Sequence, residues 1–298
     1  MDFIEDIFQY VNDLRGGTLF KMRKNNIELE EIVSRGHGSK CAVFVHGTSF
    51  GAWCWIKHFI PFFQNMGYDT YAFSFRAHGN SKGQEFSNRW GIMDYVYDLD
   101  AIMCRTKSVS VIVAHSIGCI IVLKWLELNP DYQGQVVLLA PSDYHKRWIE
   151  YLRYFFAMIK SREKAEMYFG PDMEQYKKLF KKTEATVSIK LSFQLLSPHI
   201  VSNEPVHQKI LVQGSFDDKG VSYKSVIQVG KRLNAKTILY PGICHAMMLD
   251  KQWTVVAKDI QTFLEQSEEP FQKLKGQEQR ICPFADSCDL KQGKERGL

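Results

Sequence analysis

No stretch of this chain stays apolar for the roughly 18 residues that a membrane-spanning helix requires. The amino terminus, Met1-Asp2-Phe3-Ile4-Glu5-Asp6, is acidic where an export signal would be basic. Its apolar residues Phe3, Ile4, Ile7, Phe8, Val11 and Leu14 recur at helical spacing between polar ones, which predicts a short amphipathic helix and not a leader. Excess charge of one sign is also missing. The net charge of +5 permits some attraction to an anionic surface but gives no reason to expect a nucleic-acid partner. Low-complexity tracts and internal repeats are absent. The seven cysteines are odd in number, and Cys41, Cys54, Cys104, Cys119 and Cys244 fall in or beside apolar segments, as free thiols of a reducing compartment do. A cytoplasmic location is therefore expected. Cys282 and Cys288 are close enough in a polar tail for a small-loop disulfide, and the lack of an accompanying His pair argues against a metal there.

What is present is an ordinary soluble composition, 45% hydrophobic and 24% charged, on a chain long enough to bury a sizeable core. Residues 18–33 alternate as two strands joined at Lys24-Asn25-Asn26. Beyond them, short β-branched runs at 41–45, 70–75, 109–114, 135–139, 209–212 and 237–240 alternate with helical patterns at 55–66, 92–105, 117–128, 222–233 and 252–265. Near-continuous apolar strands separated by helices predict an α/β fold: a mostly parallel, doubly wound sheet covered on both faces. The alternation breaks at 143–205, which reads as a helical cap inserted before the last two strands. The expected organisation is a core at 1–142 and 206–266, the cap at 143–205 and a polar tail at 267–298.

Chemistry concentrates at the carboxyl ends of the predicted strands, where doubly wound sheets bind ligands. Val111-Ile112-Val113-Ala114-His115-Ser116-Ile117-Gly118 is an apolar strand running into a serine with a helix directly behind it. A turn that sharp needs small residues two before and two after the nucleophile, here Ala114 and Gly118. Alone, the pentapeptide describes a helix-capping serine better than a nucleophile. Its company changes the balance. The earlier strand ending in Val45-His46-Gly47-Thr48 allows the N–H of Thr48 to point at the same space as the N–H of Ile117, and two such donors suit a tetrahedral oxyanion. His46 is expected to brace that loop, and the His115 side chain to point away from the nucleophile into packing. Serine needs a base, and the base an orienting acid. Of nine histidines only His245 follows the last strand of the core. Asp217, three residues after Gly214, is the favoured acid; Asp218, better spaced to Val221-Ser222, and Asp143 remain alternatives.

His46-Gly47-Thr48, Phe75-Arg76-Ala77-His78-Gly79-Asn80-Ser81, Ala114-His115-Ser116-Ile117-Gly118, Gly214-Ser215-Phe216-Asp217 and Pro241-Gly242-Ile243-Cys244-His245 together resemble the motif set of the α/β-hydrolase superfamily. They are similar in particular to its serine esterase, lysophospholipase and monoacylglycerol-lipase-like members. The segment Gly47-Thr48-Ser49-Phe50-Gly51-Ala52-Trp53-Cys54-Trp55 is also similar to plant methyl esterases and hydroxynitrile lyases. Ala77 and Ala114 stand where those motifs usually carry Gly.

The resemblance implies Ser116 as nucleophile, His245 as base, Asp217 as acid, and Thr48 and Ile117 as oxyanion donors, with no cofactor and no metal. A serine nucleophile disfavours the chemistry of dehalogenases and epoxide hydrolases, which use aspartate. Ester cleavage through an acyl-enzyme is the expected reaction. A lyase, an acyltransferase or a silent ligand-binding protein on the same fold are the alternatives. Residues 144–200 hold eleven Lys/Arg against six Asp/Glu, interleaved with aromatics such as Trp148, Tyr151, Tyr154, Phe155 and Phe156. That composition suits a lipid ester with an anionic headgroup, or peripheral contact with an anionic membrane; it equally suits aromatics packed on the core among solvated lysines.

Overall fold

A computed structural model of the 298-residue chain describes residues 27–36, 38–106, 108–142, 194, 201, 206–266 and 280–281. They form one eight-stranded sheet in the order β1-β3-β2-β4-β5-β6-β7-β8. In chain order the strands are β1 (Glu31–Ser34), β2 (Lys40–Val45), β3 (Tyr68–Phe73), β4 (Val109–His115), β5 (Gln135–Leu139), β6 (Ile210–Ser215), β7 (Lys236–Tyr240) and β8 (Arg280–Ile281). Only β1 runs antiparallel to its neighbour, β3; the other pairs are parallel. The helices are α1 (Trp53–Ile56), α2 (Phe59–Asn65), α3 (Ile92–Arg105), α4 (Ile117–Leu128), α5 (Tyr223–Arg232) and α6 (Trp253–Gln266).

The strands supply two cores by alternation. Along β4, Ile112 and Ala114 face the core beneath α3, α4 and α5, whereas Val111 and Val113 face the one beneath α1, α2 and α6. Helix α4 is apolar nearly all round, and Ile120, Ile121 and Leu123 are buried with most of its length. Each such side chain contributes about 1.5–3 kcal/mol when removed from water.

Sequence expectation and structure agree on β5, α3 and α4 to the residue, and on the remaining core strands to within a few residues. The sequence pattern predicts one helix at 55–66, and two are found. Pro61 has no N–H to donate and would crowd the preceding turn of a continuous helix, so the chain breaks at His58 and restarts with Pro61 in the first turn of α2. The tail contributes the edge strand β8, beside β7. The expected amino-terminal helix, the first strand of the hairpin expected at 18–33, and Asp143 lie outside the described residues. So does the cap, except for Gln194, whose Oε1 accepts from the N–H of Ile92 at 2.8 Å, and Val201, which packs on the core. No helix of the described residues is long and apolar enough to cross a membrane.

The direction of winding reverses between β3 and β4, so the crevice of the sheet opens at the carboxyl ends of β2 and β4. Register there pairs Val45 with Ala114 and so sets the His46-Gly47 turn beside Ser116. The turn after β3 closes the site from the next strand. Its Arg76 is 4% exposed and forks onto Asp98 of α3 (3% exposed), with Nη2 to Oδ1 at 2.7 Å and Nε to Oδ1 at 3.0 Å. Trp90 lies 4.8 Å below the same guanidinium. Removing one member of a buried pair strands the other charge. Asp98→Ala is expected to lower the free energy of unfolding by about 3–5 kcal/mol in denaturant titration; a loss under about 1 kcal/mol would show that this pair does not anchor the turn.

Candidate active site

The serine sits where the backbone is strained. Ser116 joins β4 to α4 at φ 53° and ψ −119°, a conformation that costs about 1–3 kcal/mol for a residue with a Cβ. Its N–H is fixed on the carbonyl of Leu139 at 2.9 Å. Gly118 makes the turn possible, because a Cβ there would lie 2.6 Å from the His46 carbonyl oxygen and 2.9 Å from that of Val45. Ala114 is not in this predicament: it lies within β4, between Val45 and Leu138, and its methyl fills the core. Ala77, the other position where glycine is usual, takes φ 60° and carries the strain of an L-residue in the left-handed region.

Ser116, 8% exposed, donates its hydroxyl toward His245 Nε2 at 3.1 Å. His245 Nδ1 in turn donates to Asp218 Oδ2 at 2.8 Å. The remaining oxygen of Asp218 accepts from the N–H groups of Gly220 and Val221 at 2.7 and 2.9 Å, so the carboxylate is held on both sides. The expectation of Asp217 is corrected here. Strand β6 runs on to Ser215, whose hydroxyl accepts from the N–H of Asp217 at 3.1 Å; this turn leaves Asp217 exposed and its successor buried against the histidine. Asp217 binds the other end of the same loop, accepting from the N–H of Gly242 at 2.6 Å.

The loop that carries the predicted donor Thr48 lies against the serine, since a Cβ on Gly47 would be 2.9 Å from Ser116 Cβ, and the second predicted donor, Ile117, opens the helix behind it. Among the described residues, neither the N–H of Thr48 nor that of Ile117 is engaged by another protein group. His46 braces the Thr48 loop as expected. Its Nδ1–H donates to the Gly47 carbonyl at 2.7 Å, and its Nε2 accepts from the N–H of Phe75 at 2.9 Å, which fixes a neutral tautomer. Two residues that sequence reasoning did not assign to the site also hold it. Asp250 accepts from the N–H of Cys244 at 2.9 Å, and His115 Nε2–H donates to the carbonyl of His245 at 2.9 Å. The packing expected of His115 is found, together with this bond. No spacing signal announces either contact. Among the described residues no cluster of His, Cys, Asp and Glu is arranged to hold a metal ion.

Among the described residues three imidazoles besides His245 are buried. Burial pushes His78 from the ordinary 6.5 down to about 4, and the backbone bond to the Arg76 carbonyl opposes this only in part. Burial likewise carries His46 well below 6.5, helped by His78, and His115, helped by His245. Each is neutral when folded and, below about pH 6.5, takes up a proton on unfolding. Between pH 6.5 and 4 the unfolded chain therefore binds more protons, and stability falls as pH falls. For His78 the loss is about 1.4 kcal/mol per pH unit inside that window. Denaturant titrations from pH 7 to 4.5 are expected to show stability decreasing by more than one proton's worth. In His78→Asn the slope is expected to be shallower, and an unchanged slope would contradict the assignment.

Comparison with known proteins is consistent with this geometry. Residues 43–199, more than half of the chain, match the family model described as alpha/beta hydrolase fold. Sequence comparison with curated proteins finds no match. Among solved structures, the chain is similar to a monoacylglycerol lipase from Paleococcus ferrophilus, at 18% identity and a TM-score of 0.64 over 80% of this chain and 99% of that one. It is similar to an esterase (EaEST) from Exiguobacterium antarcticum, at 13% identity and a TM-score of 0.66 over 80% of this chain and 95% of that one. A proline iminopeptidase-related protein from Thermus thermophilus aligns at 16% identity and a TM-score of 0.64, covering 82% of this chain and 95% of that one. At such identities the structural likeness establishes the fold alone. With the family match spanning more than half of the chain and containing the strands from β2 to β5 and the serine turn, the chain belongs to the α/β-hydrolase fold family.

Proposed function

We propose that this protein is a serine hydrolase that cleaves carboxylic esters through an acyl-enzyme on Ser116. The supporting observation is the continuous relay from Ser116 Oγ to His245 Nε2 at 3.1 Å and from His245 Nδ1 to Asp218 at 2.8 Å. In this reading Ser116 Oγ attacks the ester carbonyl while His245 Nε2 takes its proton, and the imidazolium formed is held by the Asp218 carboxylate. The carbonyl oxygen becomes an oxyanion between the N–H groups of Thr48 and Ile117, each such donor being worth about 3 kcal/mol in the transition state. The tetrahedral centre collapses and His245 passes its proton to the departing alkoxide. Water, deprotonated by the same histidine, then releases the acid and restores the serine.

A lipid ester is the proposed substrate class. The mixture of aromatic and basic residues at 144–200 supports it, as does the likeness in fold to a monoacylglycerol lipase. Apolar surface bordered by positive charge suits an acyl chain beside an anionic headgroup. The test is a panel of lysophospholipid, monoacylglycerol and short-chain ester. Long-chain esters are expected to give the higher kcat/KM, and equal turnover of short and long chains would contradict the lipid assignment. Products formed with an added alcohol distinguish hydrolysis from acyl transfer.

The roles of the residues are tested by substitution. Ser116→Ala and Asp218→Asn are each expected to lower kcat by about 10⁴-fold, since loss of the acid leaves His245 in the wrong tautomer. Asp217→Asn is expected to retain most of the activity. Full activity in Ser116→Ala, or a larger loss at Asp217 than at Asp218, would overturn the assignment.

A further inference from the structure

His115 is a buried histidine that the proposed reaction does not use, and its ring lies between the two loops that the reaction needs. On one edge Nε2–H donates to the carbonyl of His245 at 2.9 Å. Because a carbonyl only accepts, the proton is on Nε2 and Nδ1 is left bare. Nδ1 faces the oxyanion loop: a Cβ built on Gly47 would lie 2.7 Å from it, so the ring is seated directly against the Gly47 α-carbon. This nitrogen is buried with no hydrogen-bond partner among the described residues. A neutral nitrogen without a partner inside a protein is a destabilising arrangement, by about 1–3 kcal/mol, so packing alone gives no reason for an imidazole where a phenyl ring would fill the space. The ring is further fixed by Phe50, edge-on at 5.4 Å, and by the His245 ring, centroid to centroid at 4.7 Å.

These contacts have a consequence for the base. The loop from Gly242 to Asp250 carries His245 and is fastened by Asp217 at Gly242 and by Asp250 at Cys244. At His245 itself the backbone carbonyl accepts from the N–H of Met247 within the loop, at 2.9 Å, and from His115, which ties it to the end of β4. We infer that His115 is a positioning residue: its Nε2–H fixes the backbone of His245, and its opposite edge supports Gly47, so that one ring sets the base and the oxyanion loop relative to each other. The titratable groups facing it are His245 and, more distantly, His46. A proton on Nδ1 would point into Gly47 without an acceptor and would set a charge beside the imidazolium formed during the reaction. The neutral ring leaves that charge to His245 alone.

The inference rests on the serine-hydrolase reading, and the experiment keeps the two apart. Wild type, His115→Phe, His115→Gln and His115→Asn are assayed with p-nitrophenyl butyrate and for their rate of inactivation by a fluorophosphonate. Circular dichroism and thermal unfolding check folding. Wild type that is neither active nor inactivated refutes the hydrolase reading itself. With active wild type, His115→Phe is expected to lose about 10–100-fold in kcat and in inactivation rate with KM changed little, as for a base displaced by a fraction of an ångström. The amide Nε2 of glutamine reaches as far as the imidazole Nε2 and is expected to restore kcat to within a few-fold. The shorter amide of asparagine does not reach and is expected to behave like phenylalanine. Equal kcat in Gln and Asn, or wild-type kcat in Phe, overturns the inference. If the Phe variant does not fold, the Gln–Asn comparison decides alone.

Discussion

The parallel pairing of β2 with β4, with Val45 opposite Ala114, is the constraint on which the rest of the site depends. It brings two strand ends side by side at the point where the winding of the sheet reverses, and there is no other place in this topology where both loops face one crevice. The close approach leaves no room for a side chain at Gly118 or at Gly47, whose Cβ would meet the His46 carbonyl and the His115 ring. Strain at Ser116 follows from the same closeness, since the chain must turn from strand to helix within one residue. The burial of β2, β4 and the apolar helix α4 holds that turn in place.

Among the described residues around the serine, His115 Nδ1 and the N–H groups of Thr48 and Ile117 are without a protein partner, whereas the side chains that hold the relay are bonded. His46 spends both nitrogens on the backbone, and Asp218 accepts three hydrogen bonds. These bonds fix the tautomers of the rings, which is what a proton relay requires: a histidine free to exchange tautomers would present Nε2 to the serine only part of the time. The buried Arg76–Asp98 pair serves the same end one layer out, because it anchors the turn whose Phe75 N–H holds His46. Precision at the serine is therefore supplied by neighbours that do not touch a substrate.

Much of this was legible in the sequence, for physical reasons. Buried parallel strands read as continuous β-branched runs, and amphipathic helices such as Ile92–Arg105 read by their period. Ser116 and His245 were identifiable because each follows a strand. The carboxylate that bonds His245 was not, because the choice between Asp217 and Asp218 turns on where β6 ends: two neighbouring residues point opposite ways, and a shift of one residue in the turn exchanges them. The break at His58 was visible in Pro61, given weight on its missing N–H. The bond from His115 to His245 spans 130 positions and leaves no trace in local pattern.

Peptide mass spectrometry of the native protein after treatment with a fluorophosphonate tests the central claim most directly, because such reagents phosphonylate a serine only where a base activates it. The account predicts a single adduct per chain, on the peptide containing Ser116, and its disappearance in His245→Ala. An unmodified chain, or an adduct on any other residue, would contradict it.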